Sequence, residues 1–457
     1  MSTIVLKIGG GILRDKSSFD RVVNIVSSKK ESGEQQIIVI SALYGVTDFL
    51  INSLEKCINQ PEQVEIIINS LKKMHTDYLA FVLNKKIRED AEFVLTDKIS
   101  ILEKFLYGVS YLKEISPRSK DLVQSFGERL SPIVLEAFLL DAKIKSKFID
   151  AQEAGILCKG QFENALVDLN KTKENLTKTV FPLLKDTVVL LPGYYGVDAS
   201  GDVKTFGRGG TDYSAGVITN IFDANLEIWK DVSGFMTADP KIVTNAKQIE
   251  SLSYEEAEEL GYLGAKILHP KTIDPLREKD LCAEIKNVFA PEVKGTIICS
   301  TKKIHSTIVK SVTAIKDLAI VSVQSSCMVN VPGFASVLFS KLAENNISID
   351  LIVTSEASIS FSVEPKNVDL AITCAQSLSD QFPIIIRVAK ELALVAVVGE
   401  GIKETPGVAG KIFSSMGQNG INVELISQGA SEINITFAIK KSEVEKVIRL
   451  VHEEFIQ

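Results

Sequence analysis

The apolar positions of this chain come first in short unbroken runs and later in alternation. Thr3–Ile8 of TIVLKIGGG has the length of one buried strand, and Gly9-Gly10-Gly11 is the turn after it. Phe19, Val22, Val23 and Val26 then recur at helical spacing. QQIIVISAL gives a second apolar strand that ends in small polar residues. Strand, helix and strand at this spacing predict a parallel α/β sheet, in which ligands bind at the carboxyl ends of the strands. Residues 52–115 carry an amphipathic helical pattern, and TVVLLPGYY (187–195) and LEIWKDV (226–232) read as further buried strands. SYEEAEELGYLGAKIL opens with a capping box, Ser253 as the cap and Glu256 reaching back, and delivers Gly264-Ala265-Lys266 followed by HPKTI.

Pro, Gly and a basic cluster meet in PEVKGTIICSTKK (291–303), where a domain boundary is expected. Beyond it the chain repeats itself. GFASVLFSKLAENNISIDLIVTSEASISFSV from Gly333 and GVAGKIFSSMGQNGINVELISQGASEINITFAI from Gly407 align when shifted by 74 positions. Phe339 then matches Phe413, Asn345 matches Asn419, Ile347 matches Ile421, and Leu351-Ile352 matches Leu425-Ile426. Each copy reads as loop, helix, strand and alternating strand, and two copies are too few for a solenoid. The expectation is a pair of βαββαβ modules with their helices on one face of an antiparallel sheet.

Composition narrows the class. A chain of 457 residues suits about two to four domains. With 45% hydrophobic and 24% charged residues it can build a large core. The net charge of −7 argues against a nucleic-acid partner, whose footprint is usually basic, although a local cluster of cations can still serve an anionic substrate. The six cysteines form no CxxC and no metal framework, and are expected as buried thiols in a reducing cytosol. Four histidines without HExxH or HxxxH argue against a zinc hydrolase. The apolar start is short and broken by Lys7, and the most apolar stretch, LALVAVV (392–398), is far below the roughly 20 residues of a membrane span. A soluble, cytoplasmic protein with no membrane partner is expected.

Four segments carry candidate chemistry. Gly9-x-Gly11 would need a third glycine at position 14, which is Arg14, so a dinucleotide fingerprint fails, and no GxxxxGK[ST] occurs. Lys7 precedes the glycine pair at a strand end, where its ammonium and the glycine N–H groups could face an anion; a tight turn beside a strand-end lysine reads the same way. SALYGVTD (41–48) sets Ser41 and Thr47 beside Gly45, as hydroxyls for a carboxylate or as an ordinary helix cap. FGERLSP (126–132) places Glu128 and Arg129 after a glycine, at a ligand or at a salt-bridged helix start. FGRGGTDYSA (206–215) sets Arg208 and Asp212 among three glycines, able to hold a small zwitterion or to pair with each other.

Taken together, KIGG, SALYGVTD, FGERLS, GRGGTDYSA, WKDVSGFMTADPK and ELGYLGAKILHPKTI resemble the aspartate kinase (aspartokinase) family. The repeat, SQGASEINITFAI above all, resembles its paired ACT regulatory modules. The likeness runs through essentially the whole chain, in order. It implies an α/β amino-acid kinase fold, a mostly parallel sheet with helices on both faces, over residues 1–295. Two α+β ACT modules would follow, at 304–390 and 391–457. The implied reaction moves the γ-phosphate of ATP, with Mg²⁺, to the β-carboxylate of L-aspartate, giving 4-phospho-L-aspartate at the head of lysine, threonine and methionine synthesis. Lys7 would stabilise the transferring phosphate, with Gly9 and Gly10 at the phosphates and Asp212 organising the centre. Arg208 would bind the α-carboxylate of aspartate with help from Ser41 and Thr47, and Glu128 would receive its α-ammonium. The acceptor carboxylate is already ionised at pH 7, so the reaction needs no general base. Mg²⁺ held by phosphates and water needs no dedicated protein cage.

On the nucleotide side the resemblance implies Lys230, Asp231, Met236, Asp239, Lys241 and Lys266. Lys230 stands where Thr is usual, Met236 where Tyr is common and Lys241 where Arg is common, departures that bear on nucleotide affinity and choice. The first repeat resembles the lysine-binding module of lysine-inhibited members. Met328, Gly333, Phe334 and Ala335 would line one side of the effector site. Ser348, Ile349 and Asp350 would line the other, completed by Thr354, Ser355 and Glu356. The same residues could instead only build the module and its interface, or take another effector such as threonine. The resemblance implies a homodimer through the ACT modules. Competing readings are an amino-acid sensor on a degenerate kinase domain and a sister carboxylate kinase; intact Lys7, Arg208 and Asp212 speak against the first, the ACT pair and the Glu128 segment against the second.

Overall fold

A computed structural model describes residues 2–265, 267–300, 308–328, 332–429 and 433–456. Among these, one compact unit runs to Phe235 and takes in Glu250–Tyr254 and the chain from Ile267 to 300. The other takes in Met236–Ile249, the chain from Glu255 to 265 and that from 308 onward. No helix among the described residues is long and apolar enough to cross a membrane.

The first unit is built on eight strands. In spatial order they are Ser251–Ser253, Thr296–Cys299, Ala283–Asn287, Asn225–Lys230, β1 (Thr3–Ile8), β2 (Gln35–Ile40), Val188–Pro192 and Ser146–Phe148. Every neighbouring pair is parallel except Ala283–Asn287 with Thr296–Cys299. A central parallel strand is covered on both faces, which is why TIVLKI and QQIIVI are mostly apolar and buried at five of their six positions. Each such Val, Leu or Ile contributes roughly 1.5–3 kcal/mol by leaving water.

One face is covered by α1 (Lys16–Glu31), capped by the Asp15 carboxylate on the Ser18 N–H, which buries Phe19, Val22, Ile25 and Val26. The helical stretch expected at 52–115 is α2 (Val46–Cys57), α3 (Gln63–Leu79) and α4 (Lys85–Leu112). It leads into α5 (Pro117–Asp141), whose start carries a Ser116 capping box and Pro117 in the first turn. The face opposite α1 receives the helix Gly210–Phe222.

The second unit contains one antiparallel sheet, in the order Ile352–Thr354, Ser358–Val363, Ser311–Gln324, Ile385–Val398, Asn434–Lys440, Leu425–Ser427. Its two central strands are 14 residues each and pair along their length, with register shifts between Lys316 and Ile320. Val312 belongs to the core of the second copy with Val395, Ile412 and Phe437, whereas Val321 and Val323 belong to that of the first with Leu338 and Phe361. Each copy thus takes half a strand from the other.

The cysteine expectation needs correction. Cys282 and Cys299 form a disulfide, with Cα atoms 4.6 Å apart. Ala283 faces Ile298 across the antiparallel pair, so the two cysteines stand directly opposite each other. Nothing in the residue spacing signals that register. Cys57, Cys158 and Cys374 are free and buried.

Candidate active site

Alternation along β1 sends Ile4, Leu6 and Ile8 into the core and turns Lys7 to the other face. There the Lys7 ammonium meets Asp212 at 2.6 Å, both side chains more than nine-tenths buried. Asp212 stands in the first turn of the helix Gly210–Phe222, behind Gly209. Gly209 has a left-handed backbone (φ 74°), and a Cβ there would lie 2.2 Å from His269, so glycine is required. The second Asp212 oxygen pairs with the Lys230 ammonium at 3.2 Å. Burial works against a charged carboxylate, but Lys230 and Lys7 outweigh it and hold Asp212 well below the usual carboxylate range. Burial pulls the Lys7 ammonium below its ordinary value, and Asp212 offsets part of this.

The loop before Asp212 is tied to α5. Asp121 accepts from Thr205 N–H at 2.9 Å, from the Thr205 hydroxyl at 2.7 Å and from Glu163 N–H at 2.8 Å. A second tie joins α5 to the end of β2, where the Ser131 hydroxyl donates to the Ser41 carbonyl at 2.7 Å.

These ties frame a cleft of about 400 Å³. Lys7, Gly10, Ser41, Thr47, Glu128 and Asp212, all expected as site residues, line it together. Glu128 is 3% exposed, and its Oε2 has no hydrogen-bond partner. Burial pushes its carboxyl up to about 8, against the opposing pull of the Ala42 backbone N–H and Lys7. The cleft therefore pairs a buried cation with a buried acid that lacks a cationic partner of its own.

Tyr194, Thr211 and Tyr44 also line the cleft and were not anticipated. Tyr194 takes a left-handed backbone (φ 75°), rare for a non-glycine residue, and is held by its N–H on Ser214 Oγ and its hydroxyl on Gln124. The PGYYG turn at a strand end was the available signal.

Other expected residues lie elsewhere. Arg208 is exposed beside Gly209 and is not in the wall of the cleft. It does not pair with Asp212, whose oxygens go to Lys7 and Lys230. Gly9 does not line the cleft, and its N–H donates to the Trp229 carbonyl at 3.3 Å. Asp231 is half-exposed and pairs with Arg14 at 3.4 Å. Met236, Asp239 and Lys241 belong to the second unit, where Asp239 accepts from Lys241 N–H at 2.9 Å. Lys266 lies outside the described residues.

In the second unit, Gly333 starts the helix Phe334–Glu344. Phe334 is buried against Phe382 and Met328 packs beside the same core, while Ala335 is exposed. Ser348, Thr354, Ser355 and Glu356 are exposed, and Ile349 is half-buried. Asp350, with Ile315, Lys316 and Glu364, lines a hollow of about 430 Å³ that none of the other expected effector residues lines. Burial, then Glu364, raises its carboxyl.

Comparison with known proteins places this geometry. The model of the amino acid kinase family matches residues 2–287, and that of the ACT domain matches 321–378 and 395–455. Aspartokinase 1, chloroplastic, of Arabidopsis thaliana is 30% identical, over 100% of this chain and 80% of its own length. A bifunctional aspartokinase/homoserine dehydrogenase of Haemophilus influenzae is 32% identical over 98% of this chain, which spans 56% of that protein. The crystal structure of E. coli aspartokinase III with aspartate and ADP (R-state) superimposes with a TM-score of 0.82 at 25% identity, over 99% of this chain and 100% of that one. The structure of the same enzyme with lysine and aspartate (T-state) gives 0.83 at 25% identity, over 99% of each chain. The chain belongs to the amino acid kinase family, as an aspartate kinase: a phosphotransferase whose kinase domain is followed by ACT domains.

Proposed function

We propose that the protein transfers the γ-phosphate of ATP to the β-carboxylate of L-aspartate, giving 4-phospho-L-aspartate and ADP. The observation that carries this reading is the cleft holding Lys7, ion-paired to buried Asp212, together with Glu128, whose Oε2 lacks a partner. A β-carboxylate oxygen attacks the γ-phosphorus, and the bridging oxygen leaves with ADP and the bonding electrons. Lys7 offsets the charge on the transferring group, and Asp212 holds Lys7 in place before substrate arrives. Glu128 receives the α-ammonium, which supplies its missing partner. Ser41 and Thr47 meet the α-carboxylate, and Arg208 closes on it from the loop tip.

Mg²⁺ is expected to accompany the nucleotide in this reading. Among the described residues no group of three His, Cys, Asp or Glu side chains could hold a metal. The nucleotide phosphates and water would hold it, with Asp231 touching its water shell; when bound, it shares the negative charge of the phosphates. Asp239, Met236, Lys241 and Lys266 complete the nucleotide side in this reading.

L-lysine is the proposed inhibitory effector, bound at the first ACT module by Asp350, Ser348, Thr354, Ser355 and Glu356 with Met328, Gly333, Phe334, Ala335 and Ile349 beside them. The exposure of this polar set supports a site that a second copy completes. The edge strands Ile352–Thr354 and Leu425–Ser427 each pair with a single neighbour in the sheet, and a homodimer through the ACT modules is part of this reading. The functional division is 1–295 for catalysis and 304–390 and 391–457 for control, in the cytoplasm, at the entry to lysine, threonine and methionine synthesis. ADP release with L-aspartate, L-glutamate or N-acetyl-L-glutamate as acceptor, each with and without L-lysine, tests the reading. Release with aspartate alone, suppressed by lysine, supports it; release with glutamate alone overturns the acceptor, and indifference to lysine overturns the effector.

A further inference from the structure

Trp229 and Ile8 are partners in the parallel register and enter the core that α1 covers, on the face opposite Lys7. On the next strand, Ala283–Asn287, Lys286 is the register partner of Trp229, and its ammonium lies 5.3 Å from the centre of the indole ring. Two residues before Trp229, Glu227 is 6% exposed. One of its oxygens accepts from the indole N–H at 3.1 Å and the other from the Lys29 ammonium at 2.6 Å. A buried carboxylate thereby fixes the indole, and a parallel strand pair that would ordinarily be apolar on both faces carries ionic groups here.

Between α1 and these two strands lies a crevice of about 460 Å³, a volume that suits a small organic molecule. Ile25, Trp229 and Val288 give it an apolar lining, and Asn24 and Ser28 add an amide and a hydroxyl from α1. Three cations line it, Arg21, Lys29 and Lys286, against one carboxylate, Glu292. Lys29 is taken up by Glu227 and, at 3.7 Å, by Glu34. The other two cations are not matched in this way. Lys286 stands 3.9 Å from both Glu227 and Glu284, beyond hydrogen-bond distance, with only 16% of its side chain exposed. A mostly buried ammonium is costly until an acceptor meets it. The Arg21 guanidinium lies 5.4 Å from the centre of the Phe289 ring and makes no ion pair or hydrogen bond among the described residues. No residue lines both this crevice and the cleft of Lys7 and Glu128.

We propose that the crevice is a second ligand site, for a small organic anion: an apolar body against Ile25, Trp229 and Val288, and one carboxylate or phosphate group held by Arg21 and Lys286. The planar guanidinium can take two oxygens of either group, and the ammonium supplies a further contact. Binding here needs neither the acceptor nor the nucleotide of the transfer reaction.

Trp229 is the only tryptophan of the chain, so its fluorescence reports on the crevice. Titration of the full chain with benzoate and with phenyl phosphate should give a saturable change, with Kd of about 1 mM or tighter for at least one of them. The tighter of the two identifies the anionic group. Acetate, inorganic phosphate and benzyl alcohol, which lack either the body or the charge, should bind at least about tenfold more weakly. Arg21→Gln and Lys286→Met should each weaken the tighter probe at least about tenfold and leave Mg-ADP affinity within about twofold of wild type. In Lys286→Met, Glu227 keeps Lys29 and Trp229, and an unchanged thermal midpoint checks the fold. If that midpoint falls, Arg21→Gln, at an exposed position, carries the test. Lys7→Met should bind the probes as wild type does. Absence of a saturable response to either probe would overturn the proposal, as would equal affinity in wild type and variants. Acetate or inorganic phosphate binding as tightly as the larger probes would remove the apolar body from it and overturn it. Loss of the response in Lys7→Met would also overturn it, because the probes would then sit in the catalytic cleft.

Discussion

Gly127 packs so closely on Ala42 that a Cβ at Gly127 would stand 2.7 Å from the Ala42 methyl. This contact presses α5 against the end of β2 and brings Glu128, the next residue, to the cleft. Gly127→Ala should force the two segments apart, lowering stability by about 1–3 kcal/mol and raising KM for aspartate more than it lowers kcat. Thermal unfolding and steady-state kinetics check both. A variant with normal stability and normal KM would mean that the contact yields without moving Glu128.

Asp212 joins the two lysines of the site, and its removal should show in activity and stability together. Asp212→Asn leaves the buried Lys7 ammonium and the partly buried Lys230 ammonium without a carboxylate. It should cost about 3–5 kcal/mol of stability and at least about 100-fold in kcat. Because the folded carboxyl is held below its ordinary value of 3.8, its contribution is complete above that value and is lost as pH falls from there through the lower folded value. Acid titration of stability below about pH 4 should therefore be shallower in Asp212→Asn than in wild type.

Glu128 titrates in the opposite sense. Its folded carboxyl is pushed up from 4.5 to about 8, so between those values the folded protein holds a proton that the unfolded chain has lost. Its contribution is full below about pH 4.5 and declines as pH rises through about 8. An arriving ammonium should expel that proton. Aspartate binding should release close to one proton at pH 7, measured by calorimetry in buffers of different ionisation enthalpy. KM for aspartate should rise as pH falls below about 8. Glu128→Gln should abolish the proton release and raise KM for aspartate about tenfold or more.

The Cys282–Cys299 disulfide closes a loop of 17 residues, for which chain entropy gives about 3 kcal/mol. Reduction, or Cys282→Ser, should lower the unfolding free energy by about that much. Thiol counting under denaturing conditions should find two fewer thiols before reduction than after it.

The sheet of the kinase unit was legible because buried parallel strands are near-continuous apolar runs, and β1, β2, Val188–Pro192 and Asn225–Lys230 all approach this pattern. The duplicated copies were legible through the 74-residue shift. Their exchange of half-strands was not, because it depends on how Ser311–Gln324 and Ile385–Val398 pair across the sheet, and a repeat reports only order along the chain. At the site, the segments with Lys7, Ser41, Thr47, Glu128 and Asp212 stood out by their glycines and small polar neighbours, and the fold brings these residues to one cleft. The pairing of Lys230 with Asp212 joins a strand end to a helix start, and no periodicity reports such a contact. The left-handed Tyr194 was hidden for a similar reason, since its conformation is imposed by Ser214 and Gln124 from other segments.

The central claim is that this cleft phosphorylates the side-chain carboxylate of aspartate with Lys7 as the cation that supports transfer. Trapping the acyl phosphate with hydroxylamine, in reactions of Mg-ATP and L-aspartate with wild-type protein and with Lys7→Met, tests it most directly. The account predicts aspartyl hydroxamate from wild type and a yield at least about 100-fold lower from a folded Lys7→Met. Undiminished hydroxamate from Lys7→Met, or none from wild type with aspartate, would contradict it.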